Sequence, residues 1–105
     1  MLVDRFAALG DPTRLAIVET LLNEGEKSAG DLCLGATVSA PAVSRHLKVL
    51  HEAGLVRRRV DRQRRMYSVN PTGFDEINDW VRMHVEFWES SIDRLRAAVE
   101  RSTNE

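Results

Sequence analysis

An apolar stripe runs through the last third of the chain at helical spacing: Phe74, Ile77, Val81, Val85, Trp88, Ile92, Leu95 and Val99, in steps of three or four residues. Such steps keep side chains on one face of an α-helix. Trp80, His84 and Phe87 widen the stripe on one side. Asn70-Pro71-Thr72 opens the segment, and a helix over residues 72–101 would be ~45 Å long at ~1.5 Å per residue. A compact globule of this size has a radius of gyration near ~13 Å. The helix therefore outruns the body it would pack on, and its stripe calls for a second surface. A two-fold copy of the same chain is the simplest one.

The rest of the chain reads as short elements. Leu2, Phe6 and Leu9 mark a helix over 2–9 that stops at Gly10. Asp11 caps a second helix, with Pro12 in its first turn. There Leu15, Val18 and Leu22 form a stripe, with Ile17 and Leu21 beside it, and Asn23 to Gly25 end it. Ser28 caps a short third helix to about Leu34, and residues 35–38 turn. Ser39 caps a fourth helix, with Pro41 in its first turn, inward positions Val43, Leu47 and Leu50, and Gly54 at its end. A short helix, a tight turn and a helix with a polar outer face make a helix-turn-helix. Leu55–Val60 and Arg65–Val69 then read as strands joined across residues 61–64. That tip has no glycine, so a tight two-residue turn is no better supported than a longer loop. The predicted fold is mainly α with a small β-hairpin, four helices, two strands and a long helix. This is a winged helix-turn-helix, dimeric, forming one domain over 1–101 with residues 102–105 frayed.

The formal charge of −1 hides a strong segregation. Between Ser39 and Asn70 there are eight cations, Arg45, Lys48, Arg57, Arg58, Arg59, Arg62, Arg64 and Arg65, against Glu52 and Asp61. That third carries +6, so the remainder carries −7. A concentrated basic block is the footprint of a nucleic-acid site. On the fourth helix Pro41, Arg45 and Lys48 point away from the core, flanked by Ala42 and Ser44. Small residues at the start let such a helix enter a major groove, and its free N–H groups favour phosphate. Arg45 suits a two-pronged contact to guanine, with Ser44 beside it; Lys48 and Ser39 suit phosphate. Arg62, Arg64 and Arg65 at the hairpin tip suit the backbone or a narrow minor groove. The predicted DNA-binding set is thus Ser39, Pro41, Ala42, Ser44, Arg45, Lys48, Arg62, Arg64 and Arg65. The predicted dimer interface is Leu2, Phe6, Ile77, Val81, His84, Val85, Trp88, Ile92 and Leu95.

Other chemistry finds little support. No apolar run exceeds four residues, as in Leu15 to Val18, which is too short for a membrane span. The start, Met1-Leu2-Val3-Asp4-Arg5, lacks the layout of a signal peptide. Cys33 is the sole cysteine, which agrees with a cytoplasmic protein. There is no glycine-rich phosphate loop, nucleophile elbow or metal-ligand cluster, so neither catalytic residues nor a cofactor or metal is expected. Ser44 and His46 share one helix two residues apart and do not face each other. Cys33 reads as a small buried residue, with thiol chemistry as its alternative. His46 reads as a packing residue bonded to backbone, with DNA contact as its alternative. His51 reads as surface.

Three blocks carry a family resemblance: Leu9-Gly10-Asp11-Pro12-Thr13-Arg14-Leu15, Ser39 through Leu50, and Ala53-Gly54-Leu55-Val56. Their order and spacing resemble the ArsR/SmtB family of bacterial winged-helix repressors, over about residues 2–100. The resemblance implies a homodimer held by the first and last helices, a fourth helix that reads double-stranded DNA, and release of a promoter when an effector binds. It also implies where metal-sensing members keep their ligands. The thiol positions of the third helix fall on Ser28 and Gly30 here. On the last helix only His84 remains, with Arg82 two residues before it and Leu95 where a second histidine would fall. The stretch Phe87 to Ser91 resembles a non-metal subgroup. A small apolar effector pocket between the long helices, a thiol- or ligand-responsive variant, and a protein-interaction winged helix are the alternatives to a plain repressor.

Overall fold

The computed structural model describes residues 2–103. Five helices and three strands follow in the order α1 (Leu2–Leu9), α2 (Pro12–Glu24), β1 (Lys27–Ser28), α3 (Ala29–Leu34), α4 (Ala40–Glu52), β2 (Val56–Asp61), β3 (Arg64–Val69) and α5 (Pro71–Thr103). The helix starts are built as the caps foretell. The Asp11 carboxylate accepts from the Thr13 and Arg14 amides at 2.9 and 3.0 Å. Ser28 accepts from Asp31 N at 3.1 Å and Ser39 from Ala42 N at 3.3 Å. Each bond satisfies an amide that the first helical turn leaves open.

Several expectations are corrected, and the choice left open at the hairpin tip is decided. On α2 the core face is Ile17, Val18 and Leu21, while Leu15 and Leu22 stay 43% and 58% exposed. Both readings of that helix have apolar residues at helical spacing, and tertiary packing chose between them. The sheet has three strands, in the order β1-β3-β2, because Lys27 and Ser28 pair with Tyr67 and Met66. A two-residue strand carries no periodicity to read. The hairpin turn is tight, with Asp61 paired to Arg64. Arg62 takes the left-handed backbone at φ 59°, a conformation that costs a non-glycine residue about 1–2 kcal/mol. The long helix also runs on through Ser102 and Thr103, where a frayed tail was expected; residues 104 and 105 lie outside the described residues.

The core is one cluster under the sheet and between α2, α3 and α4, centred on Val18, Val43, Leu47, Leu50 and Leu55, with Val56 and Tyr67 closing it from the strands. Phe74 and Ile77 of α5 pack against that core. Beyond them α5 leaves the body, and the molecule measures 70 × 27 × 22 Å.

The end of α4 and the start of α5 meet backbone to backbone. Gly54 turns the chain at φ 76°. The Asn70 amide side chain donates to the Gly54 carbonyl at 2.9 Å, and the Asn70 backbone N–H donates to Leu55 O at 2.9 Å. Arg5 reaches across from α1, donating to Ala53 O at 3.1 Å and pairing with Glu76 of α5. Gly73 lies buried on this turn, and a Cβ there would overlap the Gly54 carbonyl oxygen. Since the obstacle is backbone, it cannot rotate away. We expect Gly73→Ala to destabilise the protein by about 2–3 kcal/mol in denaturant titration. Gly35→Ala, where a Cβ meets nothing within 4 Å, should leave stability near the wild type's.

Candidate nucleic-acid interface

Helix α4 divides as its sequence requires. Val43, Leu47 and Leu50 are fully buried. Pro41, Ser44, Arg45 and Lys48 are exposed, with Ser39 at the cap, and Ala42 is half-buried. Arg45 and Lys48 have no intramolecular partner among the described residues, so both side chains are free to meet a ligand.

The position of α4 is set from behind by Arg14. Its guanidinium donates to Ala8 O at 2.6 Å and to Ala7 O at 3.4 Å, and lies 3.3 Å from His46 Nδ1. A guanidinium only donates, so in that contact Nδ1 is the acceptor. Asp11 Oδ2 stands 3.9 Å from the same Nδ1. His46 therefore does pack inward, but its partner is a side chain of α2 rather than the expected backbone. The Asp11 carboxyl is held below its ordinary range, first by the hydrogen bond from the Arg14 amide and then by the charge of Arg14.

The sheet sorts the arginine run by face. Strand residues alternate sides, so Arg57 and Arg59 point one way and Arg58 the other. Arg57 donates to Asn70 Oδ1 at 3.2 Å. Arg59 holds Glu26 through two bonds of 2.8 and 2.6 Å, which keeps the Glu26 carboxyl below its usual range. Arg64 lies 3.4 Å from Asp31 of α3. Arg62 and Arg65 are exposed at and beside the tip. A groove of about 480 Å³ runs between α4 and the sheet, and Arg45, Lys48, His51, Arg58, Arg65 and Tyr67 line it. Arg58 was not among the expected contact residues. The signal for it was the same alternation: it stands two residues from buried Val56 and opposite buried Tyr67.

The dimer candidates lie along α1 and α5. Leu2 and Ile77 are half-buried, and Phe6 meets Trp80 edge to face at 5.5 Å. Val81, Val85, Trp88, Ile92 and Leu95 are 39–67% exposed. His84 stacks on Trp80 at 4.4 Å and donates from Nδ1 to Trp80 O at 2.7 Å.

On α3, the positions where the resemblance places metal ligands in other members carry the following side chains. The Ser28 hydroxyl is spent as the α3 cap, Gly30 offers no side chain, and Cys33 is half-buried against the core. Among the described residues no three His, Cys, Asp or Glu side chains are grouped to hold an ion.

A helix-turn-helix with an adjoining basic hairpin defines a winged-helix regulator. A model of bacterial regulatory proteins of the arsR family matches residues 11–58. The arsenical resistance operon repressor of Escherichia coli is 34% identical over 92% of this chain and 80% of its own length. The regulator Rv2034 of Mycobacterium tuberculosis is 52% identical over 66 residues, covering 63% of this chain and 61% of that protein. A solved structure described as a possible transcriptional regulator for arsenical resistance superposes with a TM-score of 0.71 at 36% identity, over 90% of this chain and 94% of that one. The chain belongs to the ArsR family of transcriptional regulators. No helix among the described residues is long and apolar enough to cross a membrane.

The depressed Asp11 carboxyl makes a pH prediction. A carboxyl whose folded-state pKa is lowered adds stability above its unfolded pKa and loses it as pH falls through the folded one. Asp11→Ala should melt at a lower temperature than wild type at neutral pH. The difference should narrow as pH drops below about 4, and Asp11→Asn, which keeps the cap but not the charge, should melt between Asp11→Ala and wild type at neutral pH.

Proposed function

We propose that the protein is a homodimeric repressor that binds a palindromic operator in the cytoplasm and does not sense a transition metal. The observation that carries this reading is the pairing of an unpartnered cationic face on α4 with an unpartnered apolar face on α5. The apolar face supplies the two-fold axis, and the cationic faces supply two copies of one reading head. Two recognition helices then sit about one turn of duplex apart, ~34 Å. Arg45 and Ser44 read bases. Ser39, Lys48, Arg62, Arg64 and Arg65 grip phosphates, with Pro41 and Ala42 allowing close approach. Arg64 exchanges Asp31 for phosphate at small cost, because an exposed ion pair is worth only about 0–1 kcal/mol.

Absence of metal sensing is supported by Ser28, Gly30, Arg82 and Leu95 at the positions where the family's ligands fall. A place for a small apolar effector is proposed between the long helices. The proposed role is binding, in keeping with relatives that are transcriptional regulators.

The test is selection of bound duplexes from random DNA followed by titration of two variants. Arg45→Ala should bind random duplex nearly as wild type does while losing about 1–3 kcal/mol on the selected site. Arg64→Ala should weaken both duplexes alike. A dimer that neutralises ~6–10 phosphates should lose roughly 10³–10⁵ in affinity between 50 and 200 mM salt. Identical behaviour of the two variants contradicts the division of roles, and absence of a selected motif contradicts the operator.

A further inference from the structure

The groove between α4 and the sheet gathers free positive charge in one place. Arg45 and Lys48 face it from the helix, and Arg58 and Arg65 face it from the strands. None of the four has an intramolecular partner among the described residues, and Glu52 is the acid that shares the lining. The groove floor includes Tyr67, which is 5% exposed, so the strand arginines stand on a buried, rigid support. On the opposite face the neighbours of Arg58 are occupied: Arg57 by Asn70 and Arg59 by Glu26.

Resting on the DNA-binding reading above, the geometry points to Arg58 as a phosphate-binding residue: together with Arg65 it clamps one phosphodiester of the duplex backbone in the groove beside the recognition helix. Arginine suits this because its planar guanidinium meets phosphate oxygens two at a time. The clamp fixes the depth and tilt of α4 in the major groove without reading a base, so it acts on every duplex alike. Strand alternation makes the assignment specific. Three consecutive arginines carry the same formal charge, but only the middle one turns towards the groove.

That gives a matched test on adjacent residues, using a random-sequence duplex of about 30 base pairs, since phosphate contacts do not need an operator. Arg58→Ala and Arg65→Ala should each weaken binding about tenfold at low salt. Each should lower the slope of log affinity against log salt by about 0.9 for every phosphate contact removed. Arg59→Ala removes the same formal charge and unmasks Glu26 as well, so a purely long-range field predicts at least as large a loss for it. The clamp predicts that Arg59→Ala binds within about twofold of wild type. Equal losses for Arg58→Ala and Arg59→Ala, or no loss for Arg58→Ala, overturn the clamp while leaving the DNA-binding reading standing. Wild-type protein with no salt-dependent binding to the duplex overturns both. Arg58→Lys separates charge from shape: a loss in between wild type and alanine supports two-pronged contact, and full loss with an unchanged thermal melt also supports it. Thermal melts of all variants confirm that each is folded; a loss of binding matched by a loss of folding in both Arg58→Ala and Arg65→Ala counts against the clamp.

Discussion

The long helix α5 and helix α4 are joined where Gly73 lies against the Gly54 carbonyl, and the remaining architecture depends on that contact. With no side chain between them, the start of α5 and the end of α4 cannot slide independently. Arg5 adds α1 to the same joint through Ala53 O and Glu76. A movement of the apolar seam therefore reaches α4 through backbone, with no flexible linker to absorb it. Two close-packed glycines and three backbone carbonyl acceptors make this a mechanical connection.

That connection matters because α5 outgrows its body. A radius of gyration of 19.2 Å exceeds the ~13 Å of a compact chain of this length, and the excess is helix. Its apolar residues from Val81 to Val99 remain in water in a lone protomer. Exposed contiguous apolar surface of this kind marks an association site. Covering it with a second copy aligns both joints about one axis, and with them both α4 helices. The charge pattern fits the same design: acids outside the wing occupy Arg59 and Arg64, so the free cations concentrate on and beside α4.

Much of this was legible in the sequence because the relevant signals are local. Asp11, Ser28 and Ser39 announce helix starts through cap chemistry, and the α4 face follows from spacing alone. What escaped the sequence was decided by neighbours far along the chain. Leu15 and Leu22 lost the core to Ile17 and Leu21 because the sheet and α4 approach α2 from one side. Lys27 and Ser28 became a strand only because β3 presented an open edge. Arg62 turns without glycine, held by flanking strands whose register is fixed by Val56, Tyr67 and Val69. His46 found Arg14, thirty-two residues away, where its spacing suggested only an inward edge. Arg58 is the instructive omission: the alternation that identifies it was visible, but the groove it lines exists only after α4 and the sheet are assembled.

As proposed, a second copy of the chain covers the apolar face of α5 and so sets the two α4 helices as a pair. The mass of the protein in solution, measured by light scattering across a dilution series, tests it most directly. A covered seam gives a mass of twice the 11.9 kDa of one chain, persisting to submicromolar concentration. A mass of one chain throughout, in a folded protein, would contradict it.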